Sequence, residues 1–202
     1  MSNKLSPLLS TLETAYELIA EKTGAPKATL VIARKTGNTM GHWTNSAVWV
    51  SGENKYNELM ISGDYLERTA EELLGTLVHE LAHAINSKNS IKDCSSNQYH
   101  NKNFKEQAEA LGLTVTFVEG RGFAQTKISD EGLIRWAKEL DLIHKAKDIS
   151  APKQLVMKKG RDTNYKSYKC GCGYVVRMSV ITYELSSPKC TICNTNYERR
   201  GL

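Results

Sequence analysis

Long apolar runs are missing from this sequence: no stretch could span a bilayer, so a helical membrane protein is excluded from the expected classes. The N-terminus does not read as a secretory leader, so the expected compartment is the reducing cytoplasm. No internal repeat or low-complexity tract is apparent. Histidine and cysteine are scarce, with five of each among 202 residues, so a metal site built from either is confined to a few positions.

Two of the histidines stand in His79-Glu80-Leu81-Ala82-His83. Residues at i and i+4 share one helix face, where two imidazoles can hold one Zn²⁺ and the glutamate between them can reach a metal-bound water. Thr69-Ala70-Glu71-Glu72 is a capping box ahead of Leu73, Leu74, Leu77, Val78, Leu81 and Ile85, whose spacing marks one buried stripe. A helix is therefore expected from about Ala70 to Asn86. A surface or helix-packing histidine pair is the bland alternative. Against it, burying two imidazoles and a carboxylate without a metal would leave costly polar groups unpaired. Glu80 is then the expected general base in peptide hydrolysis.

A catalytic zinc takes three protein ligands and leaves a position for water. The short-spaced pattern HExxHxxGxxH would need glycine and histidine where Asn86 and Asn89 stand, which excludes it. His42, His100 and His144 remain. His100 lies in a polar turn feeding a second amphipathic helix marked by Phe104, Ala108 and Leu111 and closed by Gly112. Glu106 or Glu109 on that helix is the rival third ligand, and spacing alone leaves the choice open. Tyr99 is a candidate oxyanion stabiliser.

Leu74-Gly75-Thr76-Leu77-Val78-His79-Glu80-Leu81-Ala82-His83-Ala84, followed by Tyr99-His100-Asn101-Lys102-Asn103-Phe104-Lys105, resembles the SprT-like (Spartan-related) zinc metalloprotease family. Gly41-His42-Trp43 and Glu58-Leu59-Met60-Ile61-Ser62 resemble the family's strand signatures ahead of the active-site helix, and a cysteine-rich ribbon downstream completes the bacterial layout. The resemblance implies zinc ligands at His79, His83 and His100, a general base or acid at Glu80, and proteolysis associated with DNA.

The cysteines form a second constellation. Cys170-Gly171-Cys172-Gly173 and Cys190-Thr191-Ile192-Cys193 supply four thiolates in two turns, the arrangement of a structural Cys₄ zinc. Two zinc sites, one catalytic and one structural, are thus expected. Cys94 has no partner and is read as a free thiol. Charge is unevenly spread: from His144 onward the chain carries twelve Lys and Arg against four Asp and Glu, whereas the residues before it carry fifteen against eighteen. Lys158, Lys159, Arg161, Lys166, Lys169 and Arg177 are the expected nucleic-acid contacts, interleaved with Tyr165, Tyr168, Tyr174, Tyr183 and Tyr197 that could stack on unpaired bases. A solvated basic face over a tyrosine mini-core is the alternative.

The expected architecture is α+β, a zincin-like metallopeptidase domain followed by a small zinc ribbon, with domain limits 1–146, a basic linker 147–164 and a ribbon 165–202. Ser6-Pro7 should start a helix that Gly24 stops. Strands are expected at Thr29–Ala33, Ala47–Val50 and Glu58–Ser62, with a turn at Lys35-Thr36-Gly37-Asn38, then at Leu113–Val118. Ser129-Asp130-Glu131 should cap a last helix carrying Leu133, Trp136, Leu140 and Ile143. The expected function is a zinc-dependent endopeptidase acting on a protein or peptide substrate, with DNA, single-stranded by preference, as a further partner and nucleoid association as the consequence. The competing class is a non-catalytic nucleic-acid-binding protein whose HExxH metal is structural; the intact Glu80 argues against it.

Overall fold

The computed structural model describes residues 5–33, 39–149 and 165–199, which divide between two compact units, one within Met1–Leu155 and the other within Val156–Leu202. It is a mixed α+β structure with small sheets. The turn expected at Lys35 to Asn38 lies outside the described residues. Among the described residues, no helix is long and apolar enough to cross a membrane.

In the first unit, α1 (Ser6–Thr23) has Pro7 in its first turn and ends at Gly24, whose φ of 70° is a left-handed cap that glycine adopts without strain. Four strands follow: β1 (Ala28–Ala33), β2 (Gly41–Trp43), β3 (Trp49–Ser51) and β4 (Asn54–Ser62). β4 is central. β1 runs parallel to it, while β2 pairs antiparallel on its other side and forms an edge of the sheet. Hydrogen bonds from Thr44 N to Glu58 O and from Val48 N to Tyr56 O carry the pairing from β2 to β3.

Helix α2 (Ala70–Lys88) has the expected capping box in both halves: Glu72 N donates to Thr69 Oγ1 at 3.2 Å and Thr69 N donates to Glu72 Oε2 at 2.8 Å. Its apolar stripe, Leu73, Leu74, Leu77, Val78 and Leu81, is buried with Leu59 and Ile61 of β4. Each such leucine contributes about 1.5–3 kcal/mol by leaving water, so the helix is held by its buried face.

Asn101 caps α3 (Lys102–Ala110) by accepting from Asn103 N and Phe104 N. The strand expected at Leu113–Val118 is β5 (Leu113–Val118); it pairs antiparallel with β6 (Gly122–Ile128), a strand that sequence patterning does not reveal. The expected last helix is two helices, α4 (Asp130–Arg135) and α5 (Ala137–Ile149), broken at Trp136. There the backbone leaves the helical region, the indole is fully buried, and its Nε1 donates to Leu111 O at 2.9 Å. Lys147, Asp148 and Ile149 belong to α5 rather than to the expected linker.

The second unit holds β7 (Tyr165–Lys169), β8 (Val175–Ser179), α6 (Val180–Ser186) and β9 (Glu198–Arg199), with sheet order β8-β7-β9. Tyr168 is buried and stacks on Tyr183 with 4.2 Å between ring centroids; the Tyr183 hydroxyl donates to Tyr197 O. Two of the five ribbon tyrosines therefore make the small core, in keeping with the mini-core alternative. Tyr165 and Tyr174 are exposed.

Candidate active site and metal centres

Helical spacing puts His79 and His83 on one face of α2, with ring centroids 5.1 Å apart. His100, one residue before the Asn101 cap of α3, brings a third ring to 5.2 Å from His79 and 5.0 Å from His83. One ligand nitrogen from each of the three lies within 4.8 Å of the others, a spacing that could hold a metal ion. Their common support is Phe104, fully buried, with its ring centroid 4.6 Å from each imidazole.

Every Nδ1 of the trio is engaged. His79 Nδ1 lies 2.9 Å from Thr126 Oγ1, His83 Nδ1 lies 2.8 Å from Asp93 Oδ2, and His100 Nδ1 lies 3.0 Å from Gln98 O. Asp93 is itself buried and accepts from Asn86 Nδ2 at 3.0 Å. In the tautomer that donates Nδ1–H to these acceptors, Nε2 is the nitrogen left for a ligand bond in each ring, and His83 Nε2 and His100 Nε2 stand 3.1 Å apart. Such outer partners orient metal-binding histidines and raise their basicity. The donor set thus fits zinc.

Electrostatics favour the neutral imidazoles that a metal requires at two of the three positions. Burial, and then the two neighbouring rings, hold His79 well below its ordinary value. Burial and His83 bring His100 to about 4. Burial also pulls His83 down, but the Asp93 hydrogen bond with the charges of Glu80 and Asp93 carries it above its usual value.

Glu80 is buried on α2 against the edge strand β2. A β-carbon built on Gly41 would lie 2.5 Å from Glu80 Oε1 and 2.9 Å from its Cγ, so only glycine leaves room for the carboxylate here. The rival ligands Glu106 and Glu109 are exposed on α3, and Glu109 pairs with Lys105 at 3.8 Å. His144 lies 3.0 Å from Glu71, and His42 sits on β2. Tyr99 packs its ring against Gly122. Thr126, Asp93 and Gly41 are site residues that sequence patterning does not single out for these roles.

In the second unit, one sulfur from each of Cys170, Cys172, Cys190 and Cys193 lies within 4.8 Å of the others. Cys170 and Cys190 are buried, and Cys172 Sγ stands 3.3 Å from Cys170 Sγ and 3.7 Å from Cys190 Sγ. Both turns pass through the left-handed region, at Gly173 (φ 94°) and at Asn194 (φ 56°). Hydrogen bonds from Thr195 hold Cys193 down at about 5, while those shared with Cys170 and Cys193 push Cys172 up to about 12. Four sulfurs so placed are compatible with a Cys₄ zinc ribbon. Cys94 belongs to the first unit, where its backbone bridges to that of His100.

Of the expected nucleic-acid contacts, Lys158, Lys159 and Arg161 lie outside the described residues. Arg177 stands opposite Ser167 in the β7–β8 register, so it shares a sheet face with Lys169 and the exposed Tyr165. Lys166 falls on the opposite face, beside Tyr168.

Residues 8–126 match the model of the SprT-like family. The match runs from α1 into β6 and includes all three histidines, Glu80 and Thr126. No curated protein and no solved structure gave a significant match. A family match over more than half of the chain, ending within the strand that contacts the histidine trio, shows that the chain belongs to the SprT-like family.

Proposed function

We propose that this protein is a zinc-dependent endopeptidase with a zincin-like catalytic unit, acting on proteins associated with DNA. The observation that carries the reading is the convergence of three Nδ1-anchored imidazoles beside a carboxylate buried against a sheet edge. Zinc held by His79, His83 and His100 would polarise the scissile carbonyl and acidify water at neutral pH. Glu80 accepts the proton of the attacking water and returns it to the leaving amine. The edge strand β2, whose Gly41 lies against Glu80, offers backbone groups to which an extended peptide can add as a further strand. Phe104 shields the site from behind, which strengthens each polar interaction in front of it. In the second unit, Lys169, Arg177 and Tyr165 on one open face supply phosphate contacts and a stacking ring for unpaired bases, while zinc on the four cysteines stabilises the fold.

Glu80→Gln tests the chemistry directly, because the amide keeps the shape but cannot take a proton. Hydrolysis of an unfolded protein substrate should fall by about 10²- to 10⁴-fold while the zinc content stays at that of the unaltered protein. Equal activity in the two proteins would refute the assignment of Glu80. Inertness of both, with zinc present at the histidines, would favour a non-catalytic nucleic-acid-binding role.

A further inference from the structure

We propose that β6 is a metal-dependent clamp on the histidine site and that Thr126 is the positioning residue of His79. This deepens the reading of the trio as a zinc site and rests on it. β6 reaches two of the three ligands by different routes. Thr126 Oγ1 meets His79 Nδ1 at 2.9 Å from the side chain, 47 residues away in sequence. At its start the same strand holds the His100 backbone: His100 N donates to Arg121 O and Phe123 N donates to His100 O, both at 3.0 Å, around a parallel bridge between His100 and Gly122. Gly122 has a φ of 66°, and a side chain there would run into the His100 carbonyl, so the clamp is built on a position that glycine suits.

The three orienting partners differ in kind. A carboxylate such as Asp93 and a carbonyl such as Gln98 O can only accept, so they fix the Nδ1–H form of His83 and His100 whether or not metal is bound. A hydroxyl can accept or donate. Thr126 can therefore serve either tautomer of His79, and the one with Nε2–H cannot ligate. Metal at Nε2 would remove that choice: the proton then sits on Nδ1, Thr126 Oγ1 must accept the hydrogen bond from Nδ1–H, and the strand carrying Thr126 is tied to the bound site. Occupancy of the histidine site thus becomes order in β6, which also fixes the backbone of the third ligand.

The test uses the full chain with Thr126→Val, Thr126→Ser and His79→Ala. Zinc affinity is read by competition with a chromophoric chelator, and hydrogen exchange is followed over residues 122–128 with and without zinc. Valine keeps the branched shape that suits a strand but cannot accept, so Thr126→Val should weaken zinc about 10- to 100-fold and abolish the exchange protection of β6 gained on loading. Thr126→Ser should stay within about threefold of the unaltered protein, since it restores the acceptor. Unaltered affinity and protection in Thr126→Val would overturn the clamp and leave Thr126 a packing residue. If His79→Ala also binds zinc like the unaltered protein, the histidine trio itself is not the metal site, and that separate failure takes the clamp with it.

Discussion

At Gly41 the missing side chain decides where the Glu80 carboxylate can stand. A methyl there would meet Glu80 Oε1 at 2.5 Å and the Thr76 side chain at 2.8 Å, and Thr76 is itself fixed by Arg68, so the carboxylate must give way. Gly41→Ala should therefore cut kcat/KM by roughly 10²-fold, the effect of displacing a catalytic group by about an ångström, while zinc content is unchanged. Peptide hydrolysis and metal analysis on the same preparation check it, and normal activity would contradict the close approach. The histidines carry a second prediction. Zinc needs a bare Nε2, and between about pH 4, where His100 titrates, and the raised pKa of His83, the last ring is the one still protonated. Zinc binding in that window displaces one proton, so affinity should rise roughly tenfold per pH unit and level off above the His83 pKa. Asp93→Asn removes the charge that holds the proton on His83 and leaves only a neutral amide oxygen to accept from it, so its levelling-off should come at lower pH. Calorimetry across pH measures both. His79, Glu80 and His83 are legible in sequence because their relation is local, four residues of helix. Gly41, Asp93 and Thr126 are not, because they meet Glu80, His83 and His79 only in space, from separate elements.

Elements whose signals are local can be read from sequence with nearly the right limits: α1 between Ser6 and Gly24, α2 behind its capping box, α3 between the polar turn that holds His100 and Gly112. β6 cannot, because Gly122 to Ile128 sets Phe123 and Ala124 side by side and then Gln125, Thr126 and Lys127 in a row, without alternation, and its strand character comes from pairing with β5. The break between α4 and α5 is hidden for a related reason. The apolar spacing runs on through Trp136, and the break follows from burying that indole with its Nε1 on Leu111 O, a tertiary demand that overrides propensity. α3 carries its own prediction. Phe104 joins the core to all three imidazoles, so Phe104→Ala should cost about 3–5 kcal/mol of stability and also weaken zinc binding. Leu12→Ala on α1 removes an equally buried side chain away from the trio and should destabilise by about 2–5 kcal/mol while sparing the metal. Thermal unfolding beside chelator competition separates the two; equal zinc affinity in both variants would show that Phe104 only packs.

For the whole molecule, the imbalance of charge is the property that unites the two units. Residues from His144 onward hold the excess of Lys and Arg, while the part bearing the histidine site has more Asp and Glu. An excess of positive charge on this C-terminal part, half of it in residues 165–202, favours contact with a polyanion there. The sheet faces make this specific: Lys169 and Arg177 share the open side with Tyr165, and Lys166 is on the other. A labelled single-stranded oligonucleotide, followed by fluorescence anisotropy as salt rises, should lose affinity steeply. Changing Lys169 and Arg177 together to Glu should weaken it and make the salt dependence shallower, by about 0.7 in log–log slope for each phosphate that is no longer neutralised. Lys166→Glu, on the Tyr168 face, should do much less than Lys169→Glu alone, which makes the same change of charge on the open side. Cleavage of a DNA-bound protein should fall in the double variant while cleavage of a free unfolded peptide is spared, since that substrate needs only the histidine site. If neither single- nor double-stranded DNA binds at low salt, the basic face is a surface for protein contact or simple solvation, and the ribbon does not carry the protease to DNA.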